Sequence, residues 1–274
     1  MSIWIADEER GLMQSVPDGW RRVAPPCQTV CAGGGRIFCA DQTRCLCLRA
    51  EDGAALCDMP RPGGVCALSC LPGAVCALSS EADCLLCLRA DTGAPLFSAP
   101  AGVYPRDMDV SPGGQIAVAG GGAGEILLYD RALRQTGRHR VAGVPCAVRF
   151  GPRGLHTLVA VGDGELSGSL IRISVRGVQE ELFRCPAAPC ALCVLGDGRI
   201  FAGFHGHVFA LRPNGNVLFH QSCALPSALL PCFRGVLALD AYGGGAALLR
   251  GARIYSGGAP CGAVEYPRTE RIKP

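Results

Sequence analysis

The stretch IWIADEERGLMQSVPDGW (residues 3–20) decides the fold, because the chain repeats its pattern a short distance further on. Residues 3–7 (IWIAD) match residues 37–41 (IFCAD), and PDG (17–19) matches EDG (51–53). A short apolar run follows each of these turns. The chain therefore begins inside a copy of its own repeat, and the rest of the sequence can be searched for further copies.

Six complete copies of the repeat follow, each roughly 36 to 45 residues long. They begin at PPCQTVCAGGGRIFCAD (25–41), GGVCALSCLPGAVCALS (63–79), YPRDMDVSPGGQIAVAG (104–120), VPCAVRFGPRGLHTLVAVG (144–162), APCALCVLGDGRIFAGF (188–204) and LPSALLPCFRGVLALDA (225–241). Each copy contains four short β-like runs separated by turns rich in glycine, as in EDG (51–53), DTG (91–93) and PNG (213–215). Four antiparallel strands per copy predict the blade of a β-propeller.

The two ends of the chain contain complementary parts of one more copy. Residues 3–23 have the second, third and fourth runs, and GAPCGAVEYP (258–267) repeats only the first. We therefore predict an all-β, seven-bladed propeller, closed by the C-terminal strand joining the three N-terminal strands, as a single domain over 1–274. The blades are predicted at 259–267 with 1–23, 24–62, 63–102, 103–142, 143–187, 188–224 and 225–258. The alternative is that 3–23 is an unrelated N-terminal arm.

Composition limits the function classes. The chain has 274 residues, 49% of them apolar, and its mean hydropathy is +0.26, which is ample for a buried core. Its net charge is +3, its arginines are scattered, and Lys273 is its only lysine, so it lacks the basic stripe of a nucleic-acid-binding protein. The acidic N-terminus is unlike a signal peptide, and no long apolar run is free of charge, which predicts a soluble cytoplasmic protein without a membrane partner. The 18 cysteines are then expected to be reduced thiols.

The third complete copy resembles a known family. YPRDMDVSPGGQIAVAGGGAGEILLYDRALRQTG (104–137) is similar to the repeats of YVTN-type, lactonase-like seven-bladed propellers, with the match in SPGG (111–114) and TG (136–137). The Tyr-Val-Thr-Asn motif is absent, and Gly113 stands where the family prefers aspartate. The resemblance implies either a lactone hydrolase, whose funnel supplies arginine, histidine and acidic residues, or a propeller without activity. A hydrolase would use Arg106, with Arg149 or His156.

Several motifs favour structural roles. CLLC (84–87) and CALC (190–193) fall in strand runs, where residues i and i+3 face opposite ways, so neither predicts a metal site. His205 and His207 are interpreted as loop histidines, and Asp163 with Glu165 as the tip of a hairpin. The three GGG runs lack the following helix and lysine of a phosphate loop. No metal or cofactor is predicted.

The position that follows the initial proline of each copy, or the equivalent of that proline, suggests a site. This position begins the innermost strand, next to the axis, and it is occupied by Cys27, Cys66, Arg106, Cys146, Cys190, Ser227 and Cys261. One interpretation is that small residues are needed where the strands crowd together. The other is a site in which Arg106 lowers the pKa of nearby thiols or binds a carboxylate or phosphate.

These observations leave three functions open. The first is a monomeric scaffold that holds a protein or a small anionic ligand at the mouth of its channel. The second is a lactonase-like hydrolase, and the third is a thiol-lined metal or redox site. Whether the protein is an enzyme stays open at this point.

Overall fold

The computed structural model describes residues 2–42, 44–59, 63–163, 166–232, 235–249, 253–256 and 260–266, with 253–256 and 261–266 described by their backbone. These residues form seven antiparallel sheets of four strands each. In every sheet the strand order follows the chain, except that the last strand of the protein joins the first three. The predicted seven-bladed propeller is confirmed.

The first four blades run from the N-terminus to residue 140. Blade 1 contains β1 (Ser2–Asp7), β2 (Leu12–Val16) and β3 (Gly19–Ala24), and blade 2 contains β4 (Thr29–Gly33), β5 (Arg36–Ala40), β6 (Cys45–Arg49) and β7 (Ala55–Asp58). Blade 3 contains β8 (Val65–Leu71), β9 (Ala74–Ser79), β10 (Cys84–Arg89) and β11 (Pro95–Pro100). Blade 4 contains β12 (Pro105–Val110), β13 (Ile116–Gly120), β14 (Glu125–Tyr129) and β15 (Gln135–Arg140).

The remaining strands complete the ring. Blade 5 contains β16 (Val144–Phe150), β17 (His156–Gly162), β18 (Gly168–Ser174) and β19 (Gln179–Cys185), and blade 6 contains β20 (Pro189–Val194), β21 (Ile200–Phe204), β22 (Gly206–Leu211) and β23 (Val217–Cys223). Blade 7 contains β24 (Pro226–Cys232), β25 (Gly235–Asp240), β26 (Gly245–Leu248) and β27 (Arg253–Ser256), and β28 (Pro260–Tyr266) belongs to blade 1. Two short 3-10 helices, Gly121–Ala123 and Pro152–Gly154, lie in loops, and no helix in the described ranges has the length and apolar character to cross a bilayer.

The core lies between the blades. Among the described residues the buried apolar side chains form seven clusters, and each cluster joins two neighbouring blades. Trp4 packs between blades 1 and 2, and Tyr129 packs between blades 3 and 4, where its hydroxyl donates a hydrogen bond to the carbonyl of Pro100. Each blade therefore depends on both of its neighbours to bury its two faces.

The aspartate that ends IWIAD (3–7) recurs at the end of IFCAD (37–41) and VLALD (236–240), and it closes a turn in these blades. Asp7 is fully buried, and its Oδ1 accepts hydrogen bonds from the amides of Glu9 (2.9 Å) and Arg10 (2.8 Å). Asp240 accepts an equivalent bond from Gly243 (2.8 Å) in blade 7. The aspartate is therefore a local feature of the turn between the second and third strands of a blade, because its carboxylate satisfies turn amides.

Ring closure uses backbone pairing between the two ends of the chain. β1 pairs antiparallel with β28, with Ser2 opposite Tyr266 and Trp4 opposite Val264. β28 also packs between β24 and β4, the inner strands of the blades on either side. The strand supplied by the C-terminus thus completes both the first sheet and the inner ring.

We expect a chain that ends at residue 256, and so lacks β28, to lose more than about 4 kcal/mol of unfolding free energy, because the edge of β1 and two inter-blade clusters become exposed. Urea unfolding followed by intrinsic fluorescence measures this loss. A chain that ends at residue 266 is the matched control, since it retains β28. Equal stability of the two shortened chains would show that β28 does not hold the ring together.

Candidate functional site

A cavity of about 310 Å³ lies at the centre of the ring, between the inner strands. Its described lining comes from six of the seven blades. The polar and sulfur-containing side chains that line it belong to Gln28, Thr29, Cys66, Arg106, Asp107, Met108, Cys146, Arg149, Cys190 and Ser227. Five residues of the predicted ring, Cys66, Arg106, Cys146, Cys190 and Ser227, are therefore brought together at one site.

A β-bulge places these five residues next to the axis. In each of their strands the pairing with the second strand skips one residue, as between Pro105 and Asp107 or between Pro189 and Ala191. The skipped residues are Cys66, Arg106, Cys146, Cys190 and Ser227. A bulged residue is left out of the hydrogen-bond ladder and its side chain is redirected, which explains why this position faces the cavity.

Blade 2 departs from the prediction. Gln28, not Cys27, lines the cavity in this blade, and Cys27 is buried beside the gap between blades 1 and 2. In this blade the residue after the proline is not the equivalent of the bulged residue in the other blades. The first hairpin of each blade is the common reference point, closed by Leu71 opposite Ala74 in blade 3 and by Gly33 opposite Arg36 in blade 2. The residues five positions before Leu71 and Gly33 are Cys66 and Gln28, which are therefore equivalent.

In blade 1, Cys261 is the residue skipped between Pro260 and Gly262 in the pairing of β28 with β1. The backbone therefore has the same bulge as the other inner strands. The side chain of Cys261 lies outside the described residues.

Hydrogen bonds explain why thiols and a hydroxyl occupy the bulges. Cys66 Sγ donates to the carbonyl of Pro105 (3.4 Å), and Ser227 Oγ donates to the carbonyl of Pro260 (2.7 Å). In both cases the acceptor is the first residue of the inner strand in the next blade. Cys146 and Cys190 donate instead to carbonyls of their own chain segments, at 3.3 and 3.5 Å. In each case a small side chain with a single donor finds a carbonyl acceptor close to the bulge.

The expectation that Arg106 makes these thiols acidic is wrong, because burial dominates. Burial raises the pKa of Cys66 and of Cys190 to about 12, and the carboxylate of Asp107 adds to the effect at Cys66. Burial also raises the pKa of Cys146, although the charge of Arg106 and a hydrogen bond from it act in the opposite direction. The thiols of the cavity are therefore protonated at neutral pH, which disfavours a thiolate metal or redox site here.

Arg106 is exposed to the cavity and its mouth. Its guanidinium contacts the thiol of Cys146. Among the described residues it forms no ion pair with a carboxylate. The loop after β13 makes room for it, since a Cβ atom on Gly121 would lie 2.9 Å from Arg106 Nε and 3.0 Å from its Cγ. Arg106 is thus a positive charge that is positioned by a glycine and available to a ligand.

Arg149 has a different role, which the sequence did not predict. Its Nη1 pairs with Asp107 Oδ2 at 2.5 Å, and the same carboxylate oxygen accepts a hydrogen bond from the amide of Val148 at 2.9 Å. Asp109 accepts a similar bond from the amide of Phe150 at 2.8 Å, and burial raises the pKa of its carboxyl group. The two aspartates of β12 therefore tie blade 4 to the backbone of blade 5, and Arg149 neutralises one of them.

The proposed catalytic set is not brought together. Arg106 and Arg149 line the cavity, but His156 does not, because it follows the turn at the far end of β16 and lies against Gly151. Burial and the charge of Arg172 lower the pKa of His156. No histidine lies among the described residues of the cavity wall.

Most of the other candidates lie away from the cavity, and of the two CxxC segments only the one in β20 reaches it, through Cys190. The two CxxC segments are in strands β10 and β20, as expected. His205 is exposed in a turn, and His207 is in β22 with its ring 5.5 Å from that of His220. Asp163 accepts a hydrogen bond from the amide of Ser167 across its loop (3.1 Å), whereas Glu165 lies outside the described residues.

Comparison with solved structures gives the same architecture. The chain has the fold of the lactonase-like seven-bladed propellers, as its repeats predicted. A structure described as "a putative 6-phosphogluconolactonase" from Bacteroides uniformis superposes with a TM-score of 0.75 at 15% identity, over 96% of this chain and 98% of that one. A protein from Lactobacillus plantarum gives 0.77 at 12% identity, over 96% and 99% of the two chains.

The likeness extends to other propellers. The WD40 β-propeller domain of Doa1 gives a TM-score of 0.70 at 13% identity, over 86% of this chain and 85% of that one. No protein-family profile and no curated protein sequence matches the chain. The comparisons therefore establish the fold, and the function has to be argued from the cavity.

Thiol labelling can test access to the cavity within one strand. Cys190 and Cys193 both lie in β20 with a pKa raised to about 12 by burial, but only Cys190 lines the cavity, and Cys193 is 2% exposed. We expect Cys190 to react faster with iodoacetamide at every pH, and both rates to rise about tenfold per pH unit between pH 7 and 10, where the thiolate is scarce. Peptide mass spectrometry measures the two rates, and equal rates would contradict an open cavity.

The link between Asp107 and Arg149 can be tested by stability. We expect Asp107→Ala to cost about 2 to 4 kcal/mol of unfolding free energy, because it leaves a partly buried guanidinium and the amide of Val148 without their partner. Urea unfolding of Asp107→Ala, Arg149→Met and the double variant measures the coupling. Fully additive losses would mean that the two side chains do not interact.

Proposed function

We propose that this protein is a β-propeller that binds a small anionic ligand in its central cavity, with Arg106 as the main anion-binding group. The observation that carries the proposal is the contrast between the two arginines of the cavity. Arg149 is neutralised by Asp107, whereas Arg106 has no carboxylate partner among the described residues. The charged groups described in the wall, two arginines and one aspartate, therefore leave one positive charge directed at the cavity.

The size and chemistry of the cavity favour a small ligand. Its volume of about 310 Å³ is at the lower end of the range for small-molecule sites. A guanidinium presents a planar set of donors that fits the oxygens of a carboxylate or phosphate. Gln28, Thr29 and Ser227 add neutral polar groups to the same wall. This combination suits a compact anion that carries hydroxyl groups.

Hydrolysis of a lactone is the weaker hypothesis. The cavity wall contains no histidine among its described residues, and Asp107 is already engaged by Arg149 and by a backbone amide. The described wall therefore offers no imidazole and no carboxylate that is free of a cation to act as a general base. The cytoplasmic location, the monomeric state, the single domain and the absence of nucleic-acid and membrane partners stay predictions from the sequence.

Isothermal titration with inorganic phosphate, citrate and 6-phosphogluconate tests the proposal. We expect at least one of these anions to bind the wild-type protein, and Arg106→Gln to weaken binding about 10- to 100-fold, since charged hydrogen bonds are lost. The melting temperature should not change, because Arg106 is exposed and forms no ion pair within the described chain. Arg212→Gln removes the same charge from an exposed turn and is the matched control.

A second variant separates the charge from its position. Gly121→Ala retains Arg106 but places a methyl group against its side chain, so we expect weaker anion binding without a change in net charge. Binding that is equally weak in Arg106→Gln and Arg212→Gln would show a non-specific charge effect and contradict the proposal. Turnover of sugar or acyl lactones that disappears in Arg106→Gln would favour the hydrolase instead.

A further inference from the structure

The cysteines are concentrated in blades 2 and 3. Eleven of the 18 cysteines fall between residues 27 and 87. Two pairs of them lie directly opposite each other within one sheet, Cys47 with Cys57 and Cys76 with Cys87. One further pair, Cys31 with Cys70, joins two different blades. None of the 17 cysteines whose side chains are described is part of a disulfide.

The pair between the blades is formed by Cys31 and Cys70. Cys31 lies in β4, the inner strand of blade 2, and Cys70 lies in β8, the inner strand of blade 3. Their sulfur atoms are 3.3 Å apart, at a sequence separation of 39 residues. Two thiols this close need only a small side-chain movement to reach the bond length of a disulfide.

A glycine in β4 makes this approach possible. A Cβ atom on Gly33 would lie 2.8 Å from the Cβ of Cys70 and 3.0 Å from its Sγ. The side chain of Cys70 therefore rests against the main chain of β4, close to Cys31. Any larger residue at position 33 would push Cys70 away. The short distance between the two thiols therefore depends on the glycine as well as on the two cysteines.

We propose that Cys31 and Cys70 form a redox-reactive pair, which a hydroperoxide converts into a disulfide between blades 2 and 3. The site is separate from the anion-binding position of Arg106 and does not depend on the function proposed for it. Hydrogen peroxide is the simplest oxidant of the required class.

The two thiols differ in exposure, which assigns the order of the reaction. Cys31 is buried, and Cys70 is partly exposed. Burial and the neighbouring thiol of Cys70 raise the pKa of Cys31 well above its usual range. Cys70 is therefore the thiol that peroxide reaches first, and Cys31 is the thiol that resolves the intermediate.

Each step balances. The Cys70 thiolate attacks one oxygen of hydrogen peroxide, so an S–O bond forms, the O–O bond breaks, and the departing hydroxide takes up a proton to become water. Cys31 sulfur then attacks the sulfur of the Cys70 sulfenic acid. The S–S bond forms, the S–O bond breaks, and the thiol proton of Cys31 leaves with the hydroxide as a second water. Two thiols lose two electrons, and one peroxide is reduced to two waters.

This crosslink would have more effect on the fold than the pairs within one sheet. Cys47 with Cys57 and Cys76 with Cys87 join strands that are already hydrogen-bonded neighbours. The bond between Cys31 and Cys70 would connect two separate sheets and close a loop across the rest of blade 2, which restricts the unfolded chain. It would also fix the spacing of β4 and β8, both of which line the cavity.

The test uses the full chain, fully reduced and then treated with one molar equivalent of hydrogen peroxide. We expect the intact mass to fall by two hydrogen atoms, and fragment spectra of the digested protein to locate the link between Cys31 and Cys70. The melting temperature should rise by about 5 to 10 °C and return to its starting value with dithiothreitol.

Variants decide between this pair and the other thiols. In Cys31→Ser the link should be absent, and dimedone should trap a sulfenic acid on Cys70. In Cys70→Ala both the link and the adduct should be absent. Cys76→Ser, a buried thiol in a pair within one sheet, is the matched control and should form the link as the wild type does. A link from Cys70 to any other cysteine, or oxidation of Cys70 to the sulfinic acid in the wild type without a link, would overturn the proposal.

Discussion

The antiparallel pairing of β1 with β28 is the interaction on which the ring depends. No blade has a core of its own, because each apolar cluster of the described chain lies between two neighbouring blades. Seven blades can bury fourteen faces only if the last blade meets the first. Backbone hydrogen bonds between the two ends of the chain make that contact, and they cover the edge of β1 that would otherwise be open.

The inner strands carry a second constraint, which determines the chemistry of the cavity. They crowd together near the axis, and a bulge near the start of the strand turns one residue toward the centre. A residue in this place must be small, and its polar group needs a hydrogen-bond partner nearby. Cysteine and serine meet both requirements, as Cys66 and Ser227 do when they donate to the next blade. The ring of thiols is therefore explained by packing and hydrogen bonding, and burial keeps these thiols protonated.

Arg106 occupies the equivalent position in blade 4, but it is not a small residue. It is too large to pack among the strands, and Gly121 provides the space that its side chain needs. The neighbouring Arg149, by contrast, has a structural role, because it forms an ion pair with Asp107 and lies beside Asp109. A large cation that is held in place but not neutralised by its described surroundings is a feature that the fold itself does not require. It is the feature of the cavity from which a ligand can be inferred.

The sequence by itself determined the four-stranded repeat, the number of blades and the closure of the ring, because strands and hairpin turns depend on residues close together in the chain. It also determined five of the residues that meet at the axis. The tertiary structure alone decided that Gln28 replaces Cys27, that Asp107 engages Arg149, and that Cys31 faces Cys70. These last two contacts join residues 42 and 39 positions apart, one repeat along the chain. A repeat shows which positions are equivalent, but it does not show which side chains of neighbouring blades touch, because that depends on how the sheets pack around the axis.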